Sequence, residues 1–233
     1  MESKITILVS TSPRPTHPSP RILDQTITSV RAQLPSAPII IMCDGVPSDI
    51  DRTALVNYVG FVNEIQGRYD NARVMTHGTW QQQSGTLGPA LELVQTPILL
   101  YLEDDWSIHP NVEWDKLCSI ILEGFANYVR LYSNCRIHPL HEGMMIDRVI
   151  EQGVPFVRTW QWSQNPHLAG TEFYRREVLP RVTGHVDAIE NIMHQACACD
   201  GPEAWDRWRL AIYNPENEGT MQMITHLNGR QQP

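Results

Sequence analysis

Three consecutive acidic residues, Glu103, Asp104 and Asp105, directly follow an apolar run, "PILLYL", that predicts a buried strand. Adjacent carboxylates repel one another, and removing them from water is costly unless a positive charge is near. The sequence has no Lys or Arg within ten residues of the triplet on either side. Carboxylates in this position suit a hard divalent ion, Mg²⁺ or Mn²⁺, that bridges the phosphates of a nucleotide or diphosphate. The alternative is a capped turn with solvated acids.

The order of elements that must position these acids predicts an α/β domain with a mostly parallel sheet. Continuous apolar runs predict strands at 5–11, 37–44, 72–77 and 97–103, and amphipathic segments predict helices at 19–34, 48–65 and 86–95. Ligands of such sheets bind outside the carboxyl ends of the strands. We therefore expect Thr11 to Arg14, Asp44 and the acidic triplet to gather along one edge.

The pattern is looser after residue 110. Helices are expected at 111–128, 186–197 and 202–213, short strands between 129 and 183, and a last strand or loop at 221–229. No repeat, low-complexity tract or linker interrupts the chain of 233 residues. The sequence therefore predicts one domain with two functional halves, 1–110 and 111–233.

Composition restricts the class of protein. The formal net charge of -8 argues against a general nucleic-acid binder, although residues 130–182 hold 7 Arg against 5 acids, a net of +2. The five cysteines have no metal-site or disulfide spacing, which favours a reducing compartment. No signal peptide and no apolar run of about 20 residues is found, so we expect a soluble, cytoplasmic protein without membrane contact.

The segment "LEDDWSIHP" resembles the Asp-x-Asp region of GT-A type nucleotide-sugar glycosyltransferases. It is most similar to inverting N-acetylglucosaminyltransferases, which carry Glu-Asp-Asp, four residues and a proline here. The preceding "GTLGPALELVQTPILL" resembles the helix and strand that lead into that motif, and the likeness covers roughly 5–110 and 200–229. It implies a GT-A fold, a nucleotide diphosphate sugar donor (a UDP-sugar), a nucleotide-sugar-binding half at 1–110, and an acceptor-binding and catalytic half at 111–233.

The resemblance also implies a metal site for Mn²⁺ or Mg²⁺. Asp105 would be the direct ligand of the ion, and Glu103 would orient the site. His226, in "ITHLNG", would bind the metal or the diphosphate, because many members of the fold place a late histidine there. The alternative for His226 is an ordinary surface histidine.

The same resemblance assigns four residues to the nucleotide sugar. Thr11 and Arg14, at the end of the first strand, would hold the base or a phosphate. Asp44 would hydrogen-bond the base or ribose, although "CDG" is also a plain turn. Asp104 would face the ribose or the sugar.

An inverting transferase needs a base that accepts the proton of the acceptor hydroxyl. Relatives place a carboxylate at a helix start that "DGPEAWDRW" (200–208) resembles, but their acid positions fall on Ala204 or Arg207. Glu203 and Asp206 are the two candidates, and the choice between them stays open. Glu203 is equally well explained as a capping residue.

The acceptor is predicted only by class. Trp160, Trp162 and Arg175, in the basic segment, would suit stacked rings and an anionic strand, so a hydroxymethylated DNA base is considered beside a glycan or a protein. Arg175 can instead pair with Glu172. Two further functions remain: a sugar nucleotidyltransferase, disfavoured because "TSPRPTHPSP" has no glycine, and an inactive nucleotide-sugar-binding module.

Overall fold

A nine-stranded sheet forms the centre of the protein in the computed structural model, which describes residues 2–110, 112–132, 139–213 and 223–227. The strands in chain order are β1 (Ile5–Thr11), β2 (Ile39–Cys43), β3 (Ala72–Thr76), β4 (Ile98–Glu103), β5 (Trp106–Ile108), β6 (Tyr128–Leu131), β7 (Met145–Glu151), β8 (Val154–Thr159), β9 (His167–Gly170), β10 (Leu210–Tyr213) and β11 (Ile224–His226). The order across the large sheet is β3-β2-β1-β4-β9-β6-β10-β8-β7, and β5 and β11 form a separate antiparallel pair.

The large sheet is parallel on one side and mixed on the other. Strands β3, β2, β1 and β4 run parallel, whereas β8 and β9 are antiparallel to both of their neighbours. This arrangement confirms the predicted α/β class with a mostly parallel sheet and a mixed second half.

Helices cover both faces of the sheet. They are α1 (Arg21–Arg31), α2 (Arg52–Ile65), α3 (Gln82–Leu93), α4 (Trp114–Leu122), α5 (Thr171–Phe173), α6 (Leu179–Val182), α7 (Ile189–Asp200) and α8 (Trp205–Trp208), with a π-helical turn, Tyr174–Val178, that joins α5 to α6. Helices α1, α2 and α4 share one apolar core with the sheet, and α3, α6 and α7 share the other. Every residue of β1 is buried, because its successive side chains enter the two cores alternately.

The helix predicted at 202–213 is wrong. Helix α8 ends at Trp208, where Arg209 takes a left-handed conformation with φ 46°, and Leu210–Tyr213 forms the buried strand β10 between β6 and β8. A short run, "LAIY", carries no periodicity that separates a strand from a helix, and the sheet provides the hydrogen bonds that decide its conformation.

Four of the five cysteines lie in the described residues, and all four are free thiols. Cys43, Cys118 and Cys197 are buried free thiols and Cys199 is an exposed one, while Cys135 lies outside the described residues. Within the part of the chain that the structure describes, no helix combines the length and apolar character needed to cross a bilayer.

Candidate active site

A cleft of about 470 Å³ lies at the carboxyl ends of β1, β2 and β4. The structure brings seven of the sequence-predicted residues together in its walls: Thr11, Arg14, Asp44, Glu103, Asp104, Asp105 and His226. The cleft also takes Trp80 and Gln83 from the segment at the start of α3, and Glu190 from α7. Residues of both predicted halves therefore form one site.

Asp104 and Asp105 are buried at the floor of this cleft, and Arg14 lies against both. Asp104 forms a close ion pair with Arg14 and accepts a hydrogen bond of 2.5 Å from the Thr11 hydroxyl. Arg14 Nη1 lies 3.4 Å from Asp105 Oδ2. The positive charge that the triplet lacks locally in the sequence is thus supplied by the loop after β1, because β1 and β4 are neighbours in the sheet.

The loop that carries Arg14 is anchored by a buried histidine. His17 Nδ1 accepts a hydrogen bond of 3.2 Å from the Arg14 backbone N–H, and its ring stacks on Phe61 at 4.1 Å. Burial, with a contribution from the Arg14 charge, lowers the pKa of His17 to about 3. A neutral imidazole therefore holds the loop against α2.

Asp105 has the geometry of a partial metal ligand set. Its Oδ1 is buried without a hydrogen-bond partner among the described residues, and its Oδ2 lies 3.3 Å from His226 Nε2, which β11 brings to the cleft. Among the described residues, no three His, Cys, Asp or Glu side chains converge as a closed metal centre. Asp105 and His226 therefore fit an Mg²⁺ or Mn²⁺ ion only if substrate phosphates complete its coordination, which is the usual arrangement for Mg²⁺.

Asp44 is fixed at the end of β2 by backbone N–H groups. Its Oδ1 accepts hydrogen bonds from Gly45 (2.7 Å) and Gln81 (2.8 Å), and its buried Oδ2 makes no hydrogen bond of good geometry with the described residues. Burial raises the pKa of Asp44, and these N–H donors lower it. Gly45 is required because any Cβ there would collide with the Thr79 carbonyl, so glycine allows the segment carrying Trp80 to reach the cleft.

A glutamine connects the acids to helix α7. The Gln83 side-chain amide donates a short hydrogen bond to Glu103, and its Oε1 accepts one of 3.3 Å from the Ile189 N–H at the start of α7. Ser84 adds a second connection, since its hydroxyl accepts a hydrogen bond of 3.1 Å from the Asp187 N–H. The first turn of α7 is therefore held beside the acidic triplet.

Glu190 is an acidic residue of the cleft that no sequence pattern assigned to the site. It lies in the first turn of α7, is exposed, and its Oε1 accepts a hydrogen bond of 3.2 Å from the Gln164 N–H. The sequence predicts this helix, but only the Gln83 connection shows that its start faces Glu103.

Glu203 and Asp206 do not line the cleft. Both are exposed, in the turn and helix α8 that immediately precede β10. The register aligns the start of β10 with the start of β6, and through β9 with the start of β4. Both residues consequently lie at the amino-terminal edge of the sheet, opposite the cleft, so the structure brings neither of the two predicted bases to the cleft.

The three predicted acceptor residues also lie away from the cleft walls. Trp162 is fully buried, with its ring 4.7 Å from that of Tyr128, so it is a core residue. Arg175 donates to the carbonyls at the end of α3 and pairs with Glu172 at 2.6 Å, as the alternative reading expected. Trp160 is half-buried, and its backbone N–H donates to Met144.

Sheet order and cleft position define a GT-A fold, and comparison with solved structures agrees. TarS from S. aureus, a GT-A-type glycosyltransferase, in complex with UDP-GlcNAc matches 92% of this chain with a TM-score of 0.56 and 12% identity. Its complex with UDP gives 0.54 at 12% identity, and a longer TarS structure gives 0.52 at 13%, each again over 92% of this chain.

The likeness to TarS is one of fold alone at this identity. The matched region spans 57% and 59% of the two ligand-bound TarS chains and 36% of the longer one. No protein-family model and no curated protein sequence matches the chain.

Proposed function

We propose that the protein is an inverting glycosyltransferase that moves a sugar from a UDP-sugar to an acceptor hydroxyl. The observation that carries the proposal is the placement of buried Asp104 and Asp105 and of Glu190 in one cleft of a GT-A fold. Support also comes from TarS, which has this fold and was crystallised with UDP-GlcNAc and with UDP.

The donor is expected to enter with its nucleotide toward β2 and its diphosphate toward β4. Asp44 Oδ2 would accept a hydrogen bond from the base or ribose, and Trp80 would contact the base. Arg14 would turn from the acids toward the diphosphate, because a guanidinium binds phosphate oxygens in a bidentate manner.

Mn²⁺ or Mg²⁺ would be held by Asp105 and His226. When bound, the ion would stabilise the negative charge on the departing diphosphate. Glu103 is occupied by Gln83, so it would orient the site rather than bind the ion.

Glu190 is proposed as the general base in place of Glu203 and Asp206. The acceptor oxygen attacks the anomeric carbon from the side opposite the diphosphate, and a new C–O bond forms. The bond from that carbon to the β-phosphate oxygen breaks, UDP leaves with the electron pair, and Glu190 accepts the hydroxyl proton. A single displacement of this kind inverts the anomeric centre.

The test is a product assay with UDP-GlcNAc, UDP-glucose and UDP-galactose, each with Mn²⁺ and a panel of glycan, protein and hydroxymethylated DNA acceptors. Release of UDP with a glycosylated, inverted product supports the proposal, and retention on NMR of the product contradicts it. Release of pyrophosphate from UTP and a sugar phosphate would instead identify a nucleotidyltransferase. Binding of UDP-sugars without turnover on any acceptor would identify a binding module.

A further inference from the structure

Arg130, on β6, is a buried cation that the proposed chemistry does not use. The residue is 9% exposed, and burial lowers its pKa. Within the described part of the chain, its guanidinium makes one hydrogen bond, a long one of 3.4 Å to the neutral Gln161 Oε1. No carboxylate of the described residues lies within ion-pairing distance. The charge of Glu190 raises the pKa of Arg130 without a contact between the two groups. A buried guanidinium without an ion pair at contact distance is unfavourable, so its retention needs an explanation.

The groups beside Arg130 do not neutralise it. Tyr101, His167 and Arg130 lie side by side on β4, β9 and β6. His167 is fully buried, and its ring nitrogens bond the Asn165 carbonyl (2.7 Å) and the Tyr174 hydroxyl (2.5 Å). Burial, with a contribution from the Arg130 charge, lowers the pKa of His167 to about 3, so this ring is neutral.

Two glutamines place additional amide groups in the loop that follows β8. Gln161 is 6% exposed and Gln164 is 4% exposed. The Gln164 side chain lies beside the hydroxyls of Tyr101 and Tyr174, whose pKa burial raises and this amide lowers in part, but its Nε2 makes no hydrogen bond of good geometry with the described residues. The Gln164 backbone N–H donates to Glu190, so the same loop connects this cluster to the proposed base. The cluster lies beyond β4 and β9 from the acids that would hold the donor, which is the side left for the acceptor.

We propose that Arg130, together with the amides of Gln161 and Gln164, binds an anionic group of the acceptor, a phosphate or a carboxylate. A guanidinium fork recognises either oxyanion through two parallel hydrogen bonds. The bound oxyanion would provide the contact ion pair that Arg130 lacks among the described residues, and it would hold the acceptor hydroxyl near Glu190. The assignment of the bound anion to the acceptor rests on the proposed function, whereas the presence of an anion-binding subsite does not.

The experiment measures binding of inorganic phosphate and of acetate to protein saturated with UDP and Mg²⁺, by calorimetry. UDP keeps the probes out of the donor cleft. We expect wild-type protein to bind one of the two anions, and Arg130→Met to bind it at least about tenfold more weakly, the loss expected for one charge-assisted bidentate contact. Arg158→Met is the matched control, because Arg158 is a partly exposed arginine that already pairs with Asp147.

A second variant covers the case in which Arg130→Met does not fold. Arg130→Lys keeps the charge but loses the fork, so it should keep the wild-type melting temperature more closely and still bind the anion several-fold more weakly. Tighter binding of phosphate supports a phosphorylated acceptor, and tighter binding of acetate supports a carboxylate acceptor. No binding of either anion to wild type, or equal binding to wild type and the Arg130 variants, overturns the subsite. Failure of UDP to bind would count against the proposed function alone.

Discussion

The guanidinium of Arg14 contacts the carboxylate of Asp104 in the floor of the cleft, although the two residues are far apart in the sequence. The same side chain reaches Asp105 at 3.4 Å, so one arginine lies against both acids at the end of β4 and offsets part of their charge. Arg14 therefore occupies the carboxylates that a divalent ion would need.

We expect Arg14→Ala to strengthen binding of Mn²⁺ to the nucleotide-free protein by roughly tenfold or more, since breaking a buried ion pair leaves an uncompensated charge. Free Mn²⁺ measured by electron paramagnetic resonance reports this directly. Arg21→Ala, an exposed arginine at the start of α1, should leave Mn²⁺ binding unchanged. Unaltered or weaker Mn²⁺ binding by Arg14→Ala would show that arginine and metal do not compete.

Asp105→Asn tests the metal itself. The substitution preserves shape but removes the charge, so the transfer rate should fall by roughly 10²–10³, the usual loss of one electrostatic contact in an active site. Dependence of UDP binding on Mn²⁺, followed by calorimetry, should disappear as well. Asp206→Asn, on the opposite edge of the sheet, should retain wild-type values. An Asp105→Asn variant that is fully active in the presence of chelator would exclude metal binding by this residue.

Glu190→Gln tests the base. Loss of general-base catalysis should lower kcat by roughly 10²–10⁴, while UDP affinity changes little, because the residue faces the acceptor. Glu203→Gln is the matched control and should have no effect, since Glu203 is exposed at the amino-terminal edge. The opposite result, an inactive Glu203→Gln and an active Glu190→Gln, would restore the assignment predicted from sequence.

Stability should depend on pH through His167. Its pKa of about 3 in the folded protein lies below the ordinary 6.5, so at lower pH the unfolded chain gains a proton that the folded chain refuses. The contribution of neutral His167 to the free energy of unfolding is complete above pH 6.5. Below pH 6.5 the free energy of unfolding should decrease by about 1.4 kcal/mol per pH unit toward pH 3.

Urea unfolding of wild type and His167→Gln at pH 7, 6 and 5 measures this effect. The variant should be less stable at pH 7 and should show a shallower pH dependence. His185→Gln, an exposed histidine, should keep the wild-type slope. Equal slopes for wild type and His167→Gln would contradict a neutral, buried His167.

The sequence predicts the parallel half of the fold well, because four continuous apolar strands alternate with amphipathic helices. It also predicts that Thr11, Arg14, Asp44 and the acidic triplet share one edge, which follows from the direction of parallel strands. The cation that lies beside the acids has no comparable signal in the sequence. Arg14 is far from Asp104 along the chain and reaches it only because β1 pairs with β4.

The proposed base, Glu190, could not be located in the same way. Glu190 reaches the cleft through the contact of Gln83 with Glu103 and Ile189, which joins segments distant in sequence and carries no local signal. Glu203 has a strong local signal as an acid near a helix start. Its position in the fold depends on "LAIY" forming β10, because the hydrogen bonds that make this strand come from β6 and β8.

The pairing of β11 with β5 has a consequence for biosynthesis. His226 reaches Asp105 only because Ile224–His226 aligns beside Trp106–Ile108, and Leu227 then donates a backbone hydrogen bond of 2.7 Å to the Asp105 carbonyl. A nascent chain that has already folded β1 to β4 on the ribosome still has an incomplete site. The groups around Asp105 are therefore complete only after β11 has paired with β5, and a chain that ends before β11 would retain the acids without His226 beside them.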